Sequence, residues 1–130
     1  MNNADYFKEI LTHSLFFEFV TDQELYFVYA NQLFYDCFGY DEANLINTRL
    51  YNIIPPIDHH QIDQLRLETK TSGLSGTAFV PFITNDGKTI DIYLHCRFTK
   101  DQKHLIWSMS DVQLLTSSER TLISRLNQAR

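Results

Sequence analysis

Cysteine is nearly missing from this 130-residue chain, which has only Cys37 and Cys96 and neither a CxxC pair nor a spaced set of partner ligands. Both thiols are expected to be reduced and buried in a cytosolic protein, a reading favoured over a disulfide between them, and a structural zinc site is not expected. Basic residues are few and scattered, eleven Lys and Arg against sixteen Asp and Glu, for a net charge of −5. A nucleic-acid surface, which gathers Lys and Arg on one face, is therefore not expected. No apolar run approaches the ~20 residues of a membrane span. The opening MNNADYFKEILTHS lacks the basic and apolar regions of a secretory signal. The expected location is cytoplasmic, with no membrane contact by this chain. No glycine-rich phosphate loop occurs, and His13, His59, His60, His95 and His104 fall into no metal-ligand or Ser-His-Asp spacing. No catalytic residue and no metal are expected.

What is present is apolar and aromatic: 44% of residues are hydrophobic and 14% aromatic, enough for one domain with a real core. Tyr6, Phe7, Ile10 and Leu11 recur at helical spacing behind Asn3, so residues 1–14 read as a flanking helix with one apolar stripe. LFFEFVT and LYFVYA, parted by the polar DQE, read as a hairpin. Asn31 then caps a short helix burying Leu33, Phe34, Cys37 and Phe38, Gly39 supplies a left-handed stop, and Asp41 caps a second helix ending near Ile46. Leu50, Ile53 and Ile54 precede Pro55-Pro56 and allow at most one further turn. Asp58 is the cap candidate of a longer helix, with Ile62, Leu65 and Leu67 inward and Gly73 ending it. Three strands follow, joined by the turns NDGK and KDQK. In the middle one Ile90, Ile92, Leu94, Cys96 and Phe98 share the inner face. The fold class is α+β, a five-stranded antiparallel sheet with short helices gathered on one face.

The segments YFVYANQLFYDCFGYDEANLINTRLYNIIP, NDGKTIDI and SMSDV, in that order, resemble the PAS domain, the small sensor module of signalling proteins. The likeness runs over residues 15–112. Gln32 stands where the family often has proline, and Asn47 where it often has glycine, although Asn tolerates a left-handed backbone. The resemblance implies a non-catalytic sensory and dimerisation domain. It also raises the question of a ligand between sheet and helices, for which Phe38, Leu50, Ile54, Leu65, Ile92, Leu94, Trp107 and Met109 are the lining candidates. The competing reading is that these residues fill the core themselves. Tyr35 and Tyr93 would either orient a polar headgroup or face water.

Flavin-binding relatives of the light-oxygen-voltage type carry an adduct cysteine about where Leu50 stands, and the inner face of TIDIYLHC offers no amide, so no flavin is expected. Haem-binding relatives present an axial histidine from the long helix. His60 is the candidate for that role, and the alternative function is a haem-based gas or redox sensor. Otherwise no cofactor is expected, beyond a small apolar ligand.

The tail TSSERTLISRL opens with Thr116 and Glu119 in capping-box spacing, and Leu115, Leu122 and Leu126 form an apolar seam over residues 113–130. Its expected role is a signal helix toward an output domain beyond residue 130, of the histidine-kinase (two-component) or cyclic-di-GMP (diguanylate cyclase) type. A LuxR-type transcriptional regulator is the alternative. A homodimer is expected through Tyr6, Phe7, Ile10 and Leu11 against the outer sheet face, with Phe16, Tyr26 and Ile106 as candidates there.

Overall fold

The computed structural model describes residues 17–72 and 76–111. The assigned flanking helices 1–14 and 113–130, with Phe16 and the stop at Gly73, lie outside the described residues. Five strands, β1 (Phe17–Asp22), β2 (Phe27–Ala30), β3 (Gly76–Ile83), β4 (Thr89–Phe98) and β5 (His104–Asp111), form one sheet in the order β2-β1-β5-β4-β3. Every neighbouring pair is antiparallel. Between β2 and β3 run α1 (Gln32–Phe38), α2 (Glu42–Leu45), two 3-10 turns (Leu50–Ile53 and Pro56–Asp58) and α3 (His59–Ser72). This is the α+β architecture expected from the sequence. No helix among the described residues is long and apolar enough to cross a membrane.

Punctuation residues set the helix lengths. The Asn31 side chain accepts from Phe34 N–H, and Gly39, at φ 79°, donates its N–H to the Tyr35 carbonyl. Asp41 repeats the device, accepting from Asn44 N–H. Asn47 has φ 72°, so the residue in the glycine place does adopt the left-handed backbone. Leu25, also left-handed at φ 71°, is buried in the β1–β2 turn, so the second strand starts at Phe27 rather than at Leu25.

Three sequence expectations need correction. Leu33 is exposed, because Phe34 and Phe38, four apart, define the buried stripe of α1 and Cys37 lies only at its margin. Leu67 is 59% exposed, because α3 turns Ile62, Leu65 and Thr69 inward and a residue two past Leu65 falls on the far side. Asp58 lies inside the 3-10 turn that runs straight into α3, and its carboxylate accepts from the Gln61 side chain.

The core sits between the sheet and the helices. Phe19, Phe27, Phe34, Phe38, Phe82 and Trp107 are each at most 1% exposed and interlock in tilted, edge-to-face and stacked pairs. The helical layer is pinned to the β3–β4 hairpin at one point: the Phe38 carbonyl accepts from Asn85 N–H at 2.8 Å, and Tyr40 OH donates to the Ile83 carbonyl at 2.6 Å. Gly76, the first residue of β3, lets the strand press on α3, since a Cβ there would lie 2.4 Å from Leu65 Cδ1. A second cluster lies on the opposite sheet face, where Val20 and Ile106 are buried with Val28 and Tyr29 packed against them. This confirms Ile106 on the face away from the helices, and Tyr26 is exposed at the short edge strand.

Candidate functional site

The inner sheet face is built by alternation. Phe19 and Thr21 from β1, Leu94 and Cys96 from β4, and Leu105, Trp107 and Met109 from β5 point to the helices. Trp107 lies parallel to Phe19, with centroids 5.8 Å apart and planes 8° apart, and its Nε1–H donates to Thr21 Oγ1 at 3.0 Å. Register fixes this pair, since Phe19 faces Trp107 directly in the β1–β5 ladder. All eight lining candidates (Phe38, Leu50, Ile54, Leu65, Ile92, Leu94, Trp107 and Met109) are buried at no more than 1% exposure and belong to one cluster. Among them Leu65 borders an open groove beside the long helix, and Phe38 borders another beside the β3–β4 turn. Burial pushes the Cys96 thiol up to about 12, against the hydrogen bond of Thr69, so it stays protonated and inert.

Neither tyrosine considered for a headgroup reaches this space. Tyr93 stands on the outer face with its ring 5.2 Å from Phe79. Tyr35 packs edge-on against Phe34 at the flank of α1, and burial, with Glu42 nearby, pushes its hydroxyl up to about 12.

The helical layer is closed by a polar strap that the sequence reading did not find. Tyr51 OH donates to Asp63 Oδ1 on α3, and the Tyr51 ring lies 4.7 Å from the His59 ring. His59 Nε2 sits 3.0 Å from the Tyr51 carbonyl and 2.8 Å from the Ile54 carbonyl, so it carries the proton and donates to both. The Arg49 guanidinium lies 5.5 Å above Tyr26 and 5.0 Å above Tyr51, and its Nε donates to the Glu24 carbonyl. Arg66 donates to the Gln23 carbonyl, and Gln23 Nε2 donates to the Gln102 carbonyl at 2.6 Å. The 3-10 turns, α3, the β1–β2 turn and the β4–β5 turn are thus tied into one edge. A short tyrosine-bearing turn and an i, i+3 Asp63/Arg66 pair were the only sequence signals for it.

Two grooves flank α3. One, of about 420 Å³, separates α3 from β3 and is bordered by His60, Gln61, Gln64, Leu65, Glu68, Thr77, Ala78 and Phe79. His60 Nδ1 donates to the Ile57 carbonyl at 2.9 Å, which leaves Nε2 as the ring's acceptor. A haem macrocycle needs an apolar slot, and the apolar candidates are closed against one another, so the residues around His60 do not fit that group. Among the described residues no three His, Cys, Asp or Glu cluster as metal ligands. The other groove, on the opposite flank of α3, has Phe98 and Leu105 among its lining residues. Leu115, Leu122 and Leu126, with Tyr6, Phe7, Ile10 and Leu11, lie outside the described residues.

No protein-family model matches the chain, and no curated protein matches it in sequence. Solved structures match it in shape. A PAS domain from Colwellia psychrerythraea gives a TM-score of 0.70 at 14% identity, covering 85% of this chain and 97% of that one. A domain of a sensory box sensor histidine kinase/response regulator from Geobacter sulfurreducens gives 0.66 at 14% identity, covering 80% and 90%. The RsLOV d2 variant gives 0.74 at 16% identity, covering 92% and 73%. The chain has the PAS fold.

Proposed function

We propose that this PAS-fold chain is a cytoplasmic, non-catalytic sensory and dimerisation module of a signal-transduction protein, with its output domain beyond residue 130. The observation that carries the reading is the position of β5. It is the central strand, it bears Trp107 and Met109 inward, and it is the last described element before the tail. Change around the core therefore has a direct covalent route toward the tail. Similarity to domains described as belonging to two-component and sensory box histidine kinases supports this class over an enzyme. The output is of the histidine-kinase or cyclic-di-GMP type.

In this reading the core holds no flavin or haem, and any core ligand is small and apolar, entering only if Leu50, Ile54 and Leu65 part. The dimer forms through Tyr6, Phe7, Ile10 and Leu11 against the outer face around Ile106. The seam Leu115, Leu122 and Leu126 carries the change onward. In the full-length parent, Trp107→Ala is expected to alter output even where far-UV circular dichroism shows the domain folded, and a four-residue insertion after Gln113 to disrupt or invert it. Wild-type output from both would overturn the sensory reading. Sedimentation of the chain and of Ile10→Asp tests the dimer, and a monomer at high micromolar concentration in both would remove it.

A further inference from the structure

We propose that the groove between α3 and the turn-proximal ends of β4 and β5 is a binding site for a small amphipathic monocarboxylate, distinct from the buried core. The groove measures about 260 Å³, just below the roughly 300–1,000 Å³ of drug-sized sites, so its occupant is small. Its apolar surface comes from three elements. Leu105, 2% exposed, and Phe98, packed against the core cluster, are the sheet residues, and Leu67 projects from α3 into the same groove. Leu67 is 59% exposed on a helix whose other apolar residues turn inward. A lone exposed leucine needs no explanation, but one that shares a groove with a phenylalanine and a buried leucine makes a continuous apolar surface.

Charge selects the class. Arg66 and Lys70, one turn apart on α3, stand against the single carboxylate of Asp63, so the groove is locally cationic in a chain of net charge −5. Asp63 and Arg66 are held by the polar strap, through Tyr51 OH and the Gln23 carbonyl. Lys70 makes no ion pair among the described residues. A lysine in the last turn of a helix is stabilised by the helix dipole, and this explains its place without a ligand. It does not explain the apolar surface beside it. One ammonium balances a single carboxylate but only part of a dianion such as phosphate, and the apolar trough beside it suits a short aliphatic or aromatic body. An occupant would touch α3, the β1–β2 turn at Gln23 and both outer ends of the β4–β5 hairpin, all segments that the strap already joins.

The site stands on the groove alone and does not depend on the signalling role. The test is titration of the 130-residue chain with octanoate, below its micelle concentration, followed by amide shifts in a two-dimensional NMR spectrum. Octanol, inorganic phosphate and the variants Lys70→Glu and Leu67→Asp are the comparisons, and far-UV circular dichroism checks that each variant is folded. The expected result is saturable shifts at Leu67, Lys70, Phe98 and Leu105. Octanol and the Lys70→Glu variant are expected to bind about tenfold more weakly, phosphate not to saturate, and Leu67→Asp to weaken binding with the fold intact. Absence of saturable octanoate shifts, equal binding of octanol, unchanged affinity in Lys70→Glu or Leu67→Asp, or saturable phosphate binding would each overturn the proposal. So would shifts centred on Ile92 and Leu94, which would place the ligand in the core.

Discussion

Asn31→Ala should be among the most costly single-atom-scale changes available on this fold, because one side-chain oxygen does two jobs. Asn31 Oδ1 accepts from Phe34 N–H at 3.1 Å, capping α1, and from Glu18 N–H at 3.1 Å, tying the helix start to β1. The residue is 5% exposed, so water does not replace it freely. Loss of an N-cap costs about 1 kcal/mol, and a buried N–H left without a partner costs about 1–3 kcal/mol. Together these give about 2–4 kcal/mol, a large share of the roughly 5–15 kcal/mol that holds a domain of this kind. With a urea slope of about 1.5 kcal/mol per molar, the unfolding midpoint should fall by about 1.3–2.7 M. Far-UV circular dichroism and the fluorescence of Trp107, the chain's single tryptophan, read the same transition by independent probes. Asn31→Ser separates the contributions: its shorter hydroxyl keeps the cap but not the reach to Glu18, so it should lie between wild type and Ala. A midpoint shift of Asn31→Ala under about 0.3 M would refute the reasoning, and equal losses in Ser and Ala would mean that the cap contributes nothing.

Thr21→Val removes the acceptor of the buried Trp107 Nε1–H at nearly constant volume. It should cost about 1–3 kcal/mol by denaturant unfolding, and a neutral result would mean that the indole finds another partner. At Asn47, φ 72° predicts that Gly is tolerated while Ala loses about 1–2 kcal/mol, with thermal melts as the check. Asp86 and Asp101 are held below their ordinary 3.8, first by the hydroxyls of Thr84 and Thr99 respectively, and both are fully exposed. A depressed carboxyl stabilises the fold above its unfolded value and loses that contribution as pH falls through the folded one. Thr84→Ala with Thr99→Ala should therefore flatten the acid limb of stability below pH 3.8 and leave its neutral dependence unchanged, as urea midpoints across pH would record.

Local chemistry made most of the fold legible. As caps and turn formers, Asn31, Gly39, Asp41 and the NDGK turn act on close sequence neighbours, and each does there what its type dictates; the longer reaches of Asn31 to Glu18 and of Asn85 to Phe38 were not legible. Alternation in β4 gave the inner face for the same reason, since a period of two leaves no second solution. The misjudged residues, Leu33 and Leu67, lie on short or weakly amphipathic helices where several apolar stripes are drawable and only the neighbouring element selects one. The eight lining candidates were identifiable as core but not as cavity, because whether Phe19 stacks on Trp107 or stands away depends on strand register 88 residues apart. The strap had only the faint signals of a tyrosine-bearing turn and the Asp63/Arg66 spacing, because Tyr51, Asp63, Arg66 and Gln23 become partners only once α3 is laid across the turns.

The central place of β5 decides what kind of motion this fold can transmit. Trp107 is paired with Phe19 on one side and Cys96 on the other, and Met109 with Phe17 and Leu94, so the strand cannot slide without breaking two ladders. Along it, Leu105 borders the groove beside α3, Trp107 and Met109 enter the core, and Ile106 joins the outer cluster with Val20. The groove, the core and the outer cluster are therefore all lined in part by one strand, whose alternate residues face opposite sides of the sheet. A push on either face costs least as a small tilt of β5 together with β1 and β4, because packed side chains and paired backbone resist local deformation. Change entering at the groove, the core or the outer face thus converges on the same rigid unit.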